Sequence, residues 1–289
     1  MPDPASILTL KQALEWGRQE LAGSSDTIQA DVEILLCHLL ACDRSCLYTW
    51  PDNKLDEGRL SQFRQCIALR RKGRPVAYIT GRKAFWEFSL KVNDSTLIPR
   101  PETELLVEQS LSRIPQDQPA RILDLGTGSG AIALAIAYER PLCPVTAIEK
   151  SGDAMEVARW NTQQLGIENI SLLTGNWLSP VSHTRFDIIV SNPPYIAEND
   201  PHLETGDVSH EPVTTLASGK DGLDDIRIII MQAKHHLVDG GWLLLEHGCD
   251  QACTIRKILV EQGYSDINTY PDLAGHDRVT EARISTPLR

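Results

Sequence analysis

Arg121-Ile122-Leu123-Asp124-Leu125-Gly126-Thr127-Gly128-Ser129-Gly130 is the stretch that decides the fold. A short apolar run closed by glycines reads as a buried strand, and Ala131 to Arg140 after it reads as a helix. The three glycines permit φ > 0 and let a ligand approach the backbone closely, where a helix N-terminus opens. Dinucleotide-binding turns use a similar device, but their G-x-G-x-x-G spacing sets the third glycine one residue later than Gly130. Asp124 also puts a carboxylate in the turn, which repels a pyrophosphate and attracts a cationic sulfonium and an amino group. Pro144-Val145-Thr146-Ala147-Ile148-Glu149 is a second strand, ending in an acid about 20 residues beyond the glycines, a place suited to ribose hydroxyls. Together these features favour S-adenosylmethionine over a nicotinamide dinucleotide as the ligand.

Outward from this turn, helix and strand patterns alternate: helix 102–113, strand 121–125, helix 130–139, strand 144–149, helix 152–164, strands 169–174 and 186–191, helix 223–237, strand 241–246 and helix 250–262. A closing pair near 265–270 and 278–285 suits an antiparallel edge. The class is an open, mostly parallel α/β sheet, whose ligands bind at the carboxyl ends of the strands. Upstream, Tyr78-Ile79-Thr80-Gly81 and Phe85 to Val92 alternate in the manner of strands, which predicts a hairpin within 79–101. Residues 1–78 carry helical stripes, among them Leu10, Ala13, Leu14 and Leu21, then Ile28, Val32, Leu35 and Leu36, then Leu60, Phe63 and Ile67. Pro51-Asp52-Asn53 marks a turn among them. The expected organisation is a helical domain over 1–78, a linking hairpin over 79–101 and the α/β domain over 102–289.

The other decisive stretch is Asn192-Pro193-Pro194-Tyr195, directly after the apolar run Phe186 to Ser191. Neither proline has an N–H and each fixes φ, so the strand must break there. The break leaves the carbonyls of Asn192 and Pro193 without ladder partners, beside an amide side chain and an aromatic ring. Such a clamp suits a planar group bearing an NH2, whose two hydrogens need two acceptors; adenine, cytosine and a glutamine side chain all qualify.

Arg74-Pro75-Val76-Ala77-Tyr78-Ile79-Thr80-Gly81, Phe85-Trp86, and Leu97-Ile98-Pro99-Arg100-Pro101-Glu102-Thr103-Glu104 narrow the choice. With the glycine turn and the clamp, and with Glu211-Pro212, Gly219 to Leu223, Leu245-Glu246-His247-Gly248 and Asp277-Arg278-Val279, the chain resembles the PrmC (HemK) family of release factor glutamine methyltransferases over nearly its whole length. The resemblance implies a Rossmann-like S-adenosylmethionine-dependent methyltransferase domain, with a mostly parallel seven-stranded sheet, behind a small helical domain that recognises the partner. It implies that Gly126, Thr127, Gly128, Ser129, Gly130, Glu149, Trp177 and Asn192 hold S-adenosylmethionine, with Trp177 against the adenine. Asn192 and Pro193 are then the catalytic pair, and Asn192, Pro193, Pro194 and Tyr195 bind the substrate. Relatives often carry Asp at the positions of Glu149 and Asn176; Glu149 can still accept both ribose hydroxyls, and the resemblance implies a contact to the adenine amino group at Asn176, which the change from Asp weakens.

An amide nitrogen is a poor nucleophile because its lone pair is conjugated to the carbonyl. Accepting both of its N–H groups, through the Asn192 side-chain oxygen and the Pro193 carbonyl, would aim it at the methyl and favour pyramidalisation, with no strong base. Many DNA adenine enzymes carry Asp at the clamp position, so the neutral Asn192 leans toward glutamine. The expected partners are class I peptide chain release factors, modified at the glutamine of their Gly-Gly-Gln motif. The alternatives are a ribosomal-protein glutamine, nucleic-acid adenine, and a non-enzymatic S-adenosylmethionine-binding module. Glu246 and His247 have no nucleophile near them and read as structural.

Charge speaks against nucleic acid: the 289 residues carry a net charge of −11. Residues 1–82 hold 11 Lys and Arg against 10 Asp and Glu, leaving 17 against 29 in the remainder. The basic cluster Arg70 to Arg74 reads as a helix C-terminus capped by Gly73, with a partner-docking patch as the alternative. The 7 cysteines include no C-x-x-C pair and no histidines at zinc spacing, so reduced, mostly buried thiols and no metal are expected. With no apolar run of about 18 residues and no basic leader, a cytoplasmic protein without membrane contact is expected, and a monomer.

Overall fold

The computed structural model describes residues 8–284. By packing, the chain divides into two units: the residues up to Arg82 with Glu204–His210, and Lys83–Leu203 with the residues from Glu211 on.

The first unit holds helices α1 (Leu10–Glu20), α2 (Ile28–Leu40), α3 (Arg44–Thr49), α4 (Glu57–Arg71) and α5 (Val76–Thr80). A capping box opens α1, with the Thr9 hydroxyl accepting the Gln12 N–H and the Gln12 side chain accepting that of Thr9. The apolar stripes of α1, α2 and α4 meet in one core that includes Leu14, Val32, Leu36, Phe63 and Ile67. Gly17 lets α1 and α2 close up, since a Cβ there would stand 2.8 Å from Val32. Gly73 follows α4 at φ +92° as the expected cap. Arg70 is turned inward, its Nε donating to Asp31 at 2.6 Å.

Residues 78–81 are not a strand. Pro75 starts a helical turn, its carbonyl accepting the N–H groups of Tyr78 and Ile79, and Gly81 ends it in the left-handed region. Four residues are too few to tell an alternating pattern from one turn of helix, and burial of Tyr78 with packing of Val76 and Ile79 on the helical core decides for the helix. The hairpin instead pairs β1 (Arg82–Phe85) with β2 (Phe88–Lys91), so the predicted single strand from Phe85 to Val92 is broken. Trp86 breaks it at φ +53°, held there by its N–H on Glu104 at 2.9 Å and its indole N–H on Glu139 at 2.8 Å.

The second unit continues through α6 (Thr103–Arg113), β3 (Ile122–Leu125), α7 (Ala131–Glu139), β4 (Val145–Glu149), α8 (Gly152–Leu165), β5 (Ile170–Thr174), β6 (Phe186–Ser191), α9 (Asp224–His236), β7 (Leu237–Glu246), α10 (Ala252–Glu261), β8 (Tyr264–Pro271) and β9 (Asp277–Ile284). Its seven strands lie in the order β5-β4-β3-β6-β7-β9-β8, all running in one direction except β9, which is antiparallel to β7 on one side and to β8 on the other. Position 285 of the predicted last strand lies outside the described residues. β7 begins four residues before the predicted 241, at Leu237.

The period of two along the strands sorts the core into two layers. Ile122, Val145, Ala147, Ile188, Val190 and Leu244 face α6 and α7, while Leu123, Leu125, Ile148, Ile189 and Leu245 face α9 and α10. Ala131 to Ala137 of α7 are all buried, which explains an apolar helix without a polar stripe. The chain reverses direction across the sheet between β3 and β6, and that switch point is where ligands of such folds bind.

The cysteines are free, as expected, but they are not mostly buried: Cys143 is, whereas Cys249 and Cys253 are exposed on the α10 side. A small polarisable thiol tolerates either setting.

Candidate functional site

Parallel register brings the two decisive stretches together. Leu125 of β3 pairs with Ser191 of β6, so the glycine turn and the Asn192 segment leave the sheet side by side at the switch point. The Ser191 hydroxyl donates to the Leu125 carbonyl at 2.8 Å and ties the two exits. On the other flank, the N–H groups of Gly126 and Thr127 donate to the Ile148 carbonyl, which sets Glu149 beside the turn. The Gly175 N–H donates to the Glu149 carbonyl at 3.0 Å and brings up the segment leading to Trp177. Gly126 to Gly130, Glu149, Trp177 and Asn192 to Tyr195 therefore line one edge.

Gly126, Gly128 and Gly130 all have positive φ, and the Cβ direction of Gly128 points into open space. A ligand can thus reach the turn's backbone. Buried Asn161 of α8 donates to the Ser129 carbonyl at 2.8 Å and pins the turn from behind. The Glu149 carboxylate accepts the Gly128 N–H at 2.9 Å and the Ser151 N–H at 2.8 Å. These bonds fix its direction and leave lone pairs for two hydroxyls. Asp124 does not line the turn: it is fully buried beneath it, with the Thr127 hydroxyl on Oδ2 at 2.6 Å. Burial first, then the charge of Glu149, push its carboxyl up to about 7 against the pull of the Thr127 bond and the Ala133 N–H.

Among the described residues no hydrogen bond is donated to the carbonyls of Asn192 or Pro193, so both stand ready to accept. The Asn192 amide nitrogen donates to Thr103 Oγ1 at 3.2 Å, which turns its oxygen the other way. The Tyr195 N–H donates to the Leu216 carbonyl, and the Tyr195 carbonyl accepts Gln251 Nε2 at 2.8 Å. Its ring is half-buried and its hydroxyl donates to Glu246 Oε1 at 3.3 Å. Buried His247 bonds the Gly248 carbonyl and the Thr280 hydroxyl, a packing role, and burial lowers its pKa.

Trp177 sits at φ +47°, its ring 3.4 Å from the Cβ direction of Gly126 and its indole N–H donating to Asp225 at 3.2 Å. Ser218 in turn bonds Asp225 at 2.7 Å. Asn176 is exposed. Thr103, Gln251, Asp225 and Ser218 are the site residues that sequence reasoning did not single out. Thr103 and Ser218 lie in or beside quoted motif stretches; nothing in the sequence marks Gln251. The segment before Thr103 is held by Glu211, which accepts the Ile98 N–H at 2.9 Å and pairs with Arg100.

Fold and site define a Rossmann-like methyltransferase. Residues 101–211 match the family described as methyltransferase small domain, and residues 12–81 match the PrmC N-terminal domain. The release factor glutamine methyltransferase of Vibrio cholerae is 49% identical over 96% of this chain and 98% of its own length, and that of Escherichia coli is 44% identical over 93% and 97%. This chain belongs to the family of release factor glutamine methyltransferases. A solved methyltransferase from Pyrococcus furiosus superposes with a TM-score of 0.54 at 20% identity, over 77% of this chain and 98% of that one. The hMettl16 catalytic domain does so with a TM-score of 0.56 at 16% identity, over 81% and 84%. Both likenesses bear on the fold alone.

Proposed function

We propose that this chain transfers a methyl group from S-adenosylmethionine to the side-chain amide nitrogen of the glutamine in the Gly-Gly-Gln motif of class I peptide chain release factors. The observation that carries the reading is the pair of unengaged acceptors at the switch point, Asn192 Oδ1 and the Pro193 carbonyl, beside an accessible glycine turn, in a chain related end to end to enzymes named for that reaction.

The residues present suit S-adenosylmethionine. Gly126 to Gly130 would receive its amino-acid end, Glu149 its ribose hydroxyls and the Trp177 face its adenine. When bound, it supplies an activated methyl group on a sulfonium. Asn192 and Pro193 would take the two amide hydrogens of the glutamine and hold its nitrogen in line with that methyl, so that positioning supplies most of the acceleration. Pro194 and Tyr195 shape the slot around the amide plane. Buried Asp124 acts through Thr127 and the turn it supports. The helical unit is the surface available for the rest of the release factor, and a net charge of −11 disfavours a nucleic-acid substrate.

Labelled S-adenosylmethionine is supplied separately with release factor, ribosomal subunits and DNA, and the label is located by mass spectrometry. One methyl on the Gly-Gly-Gln glutamine is the expected outcome. Label on a ribosomal glutamine or on adenine, with release factor unlabelled, overturns the proposal.

A further inference from the structure

Trp177 adopts φ +47°, a left-handed conformation that a bulky side chain keeps only where its surroundings over-determine it. Trp86, at +53°, is kept there by bonds to Glu104 and Glu139. For Trp177 the bond is to Asp225, in the first turn of α9, whose Oδ1 accepts the indole N–H at 3.2 Å. The ring so held stands 3.4 Å from the Cβ direction of Gly126, at the entry to the glycine turn.

The other oxygen of Asp225 serves a different part of the site. Oδ2 accepts the hydroxyl proton of buried Ser218 at 2.7 Å, and the Asp225 N–H donates back to that hydroxyl at 2.8 Å. A hydroxyl has one proton to give, so this closed pair needs an acceptor at position 225. Ser218 in turn lies on the strip behind the clamp. Its N–H donates to the Ile196 carbonyl at 2.9 Å, Ala217 bridges Ile196, and the Leu216 carbonyl accepts the N–H groups of Tyr195 and Ile196 at 3.1 and 2.8 Å. One carboxylate therefore ties down the Trp177 ring on one side and the exit of the Asn192–Tyr195 segment on the other.

On the cofactor and clamp reading given above, we propose that Asp225 is a positioning residue for both substrates of the transfer: through the Trp177 indole it sets the wall for the adenine, and through Ser218 it sets the strip on which the glutamine clamp rests. It touches neither substrate. Methyl and amide nitrogen must meet in line, so the groups that hold them need a common reference, and a rigid bridge between the two holders supplies one. Bonds to a carboxylate are stronger than bonds between neutral groups, which suits an acid to the task. Asp224 is the contrast. It stands in the same first turn of α9, where any acid favours the helix dipole, but pairs with Arg227 at 3.1 Å instead.

The test uses the full chain with intact release factor, reading kcat at saturating S-adenosylmethionine and the affinity for S-adenosylmethionine by calorimetry. Asp225→Ala is expected to weaken that affinity and to lower kcat, each by roughly tenfold or more. The two arms should separate in single variants. Trp177→Phe, which keeps a ring but no indole N–H, should weaken affinity by roughly tenfold with kcat within about threefold, and Ser218→Ala should do the reverse. Adding Asp225→Ala to Trp177→Phe should cost affinity no more than about threefold further. Asp225→Asn, which keeps the shape and an acceptor for the indole, should recover most of the affinity, and Asp224→Ala should leave both readings within about threefold of wild type. An Asp225→Ala protein with affinity or kcat within about threefold of wild type refutes the proposal; loss of binding in Trp177→Ala and of turnover in Asn192→Ala then leaves the cofactor and clamp reading standing. Full affinity in Trp177→Ala, or turnover in Asn192→Ala, brings down that reading and the proposal with it. Equal losses in Asp224→Ala and Asp225→Ala assign the effect to the helix terminus and refute the bridge. If Asp225→Ala melts too low to assay, the single arms decide: unchanged affinity in Trp177→Phe, or unchanged kcat in Ser218→Ala, refutes it.

Discussion

Replacing Gly222 with Ala should disable the clamp without touching it. Gly222 has φ +75°, and a Cβ on it would stand 2.2 Å from the Tyr195 carbonyl oxygen and 2.8 Å from Gln251 Nε2. Ordinary contact needs roughly 3.5 Å, so the Tyr195 carbonyl has to retreat by roughly 1 Å. The retreat breaks the bond from Gln251, worth about 1 kcal/mol, and the left-handed alanine adds about 1–2 kcal/mol of strain. A loss of about 2–3 kcal/mol is within the stability of an ordinary domain, so the variant should fold with a lowered Tm. For turnover the displacement matters more, because shifting a substrate-holding group by about 1 Å can cost on the order of 100-fold. Single-turnover methyl transfer to release factor should slow by that order, while calorimetric affinity for S-adenosylmethionine changes by less than about threefold. A folded Gly222→Ala protein with wild-type turnover would refute the reasoning, since it would mean that the position of Tyr195 is immaterial.

Asn192→Ala should abolish turnover while leaving S-adenosylmethionine affinity within about tenfold, measured by calorimetry, because it removes an acceptor for the substrate amide. Gly128→Val should instead lose S-adenosylmethionine binding with little loss of fold: the side chain enters open space that the ligand needs, at φ +56°. Asp124→Asn should flatten part of the pH dependence of stability. Because the Asp124 carboxyl is raised from 3.8 to about 7, the native protein holds a proton that the unfolded chain releases between those values. Stability therefore falls as pH rises through that window, by up to about 1.4 kcal/mol per pH unit, and denaturant titrations at pH 5 and 7 should show a smaller drop in the variant; an equal drop would mean that Asp124 ionises normally.

Most of the α/β frame is legible in the chain because its strands are buried on both faces. Runs such as Ile122–Leu125 and Phe186–Ser191 admit few other readings, and the glycines at 126, 128 and 130 and the prolines at 193 and 194 mark where each must end. Short half-exposed segments were not legible. Val76–Thr80 and the turn at Trp86 follow contacts that no window of the chain contains: packing on the helical core for the first, Glu104 and Glu139 for the second.

The sequence by itself determined which chemistry the chain can perform: a turn whose glycines admit a ligand, an acid at the end of the next strand, and a strand end with two acceptors and no N–H at its prolines. These are local properties, set by covalent geometry and by the few φ values that glycine and proline allow. Only the tertiary structure decided how the parts are aimed. Parallel pairing of Leu125 with Ser191 puts turn and clamp side by side, across 66 positions of chain. The direction of the Asn192 amide depends on Thr103, 89 positions away, and the hold on Tyr195 on Glu246 and Gln251, 51 and 56 positions away. Hydrogen bonds act over about 3 Å and are blind to sequence separation, so a residue's orientation is settled by the neighbours the fold delivers.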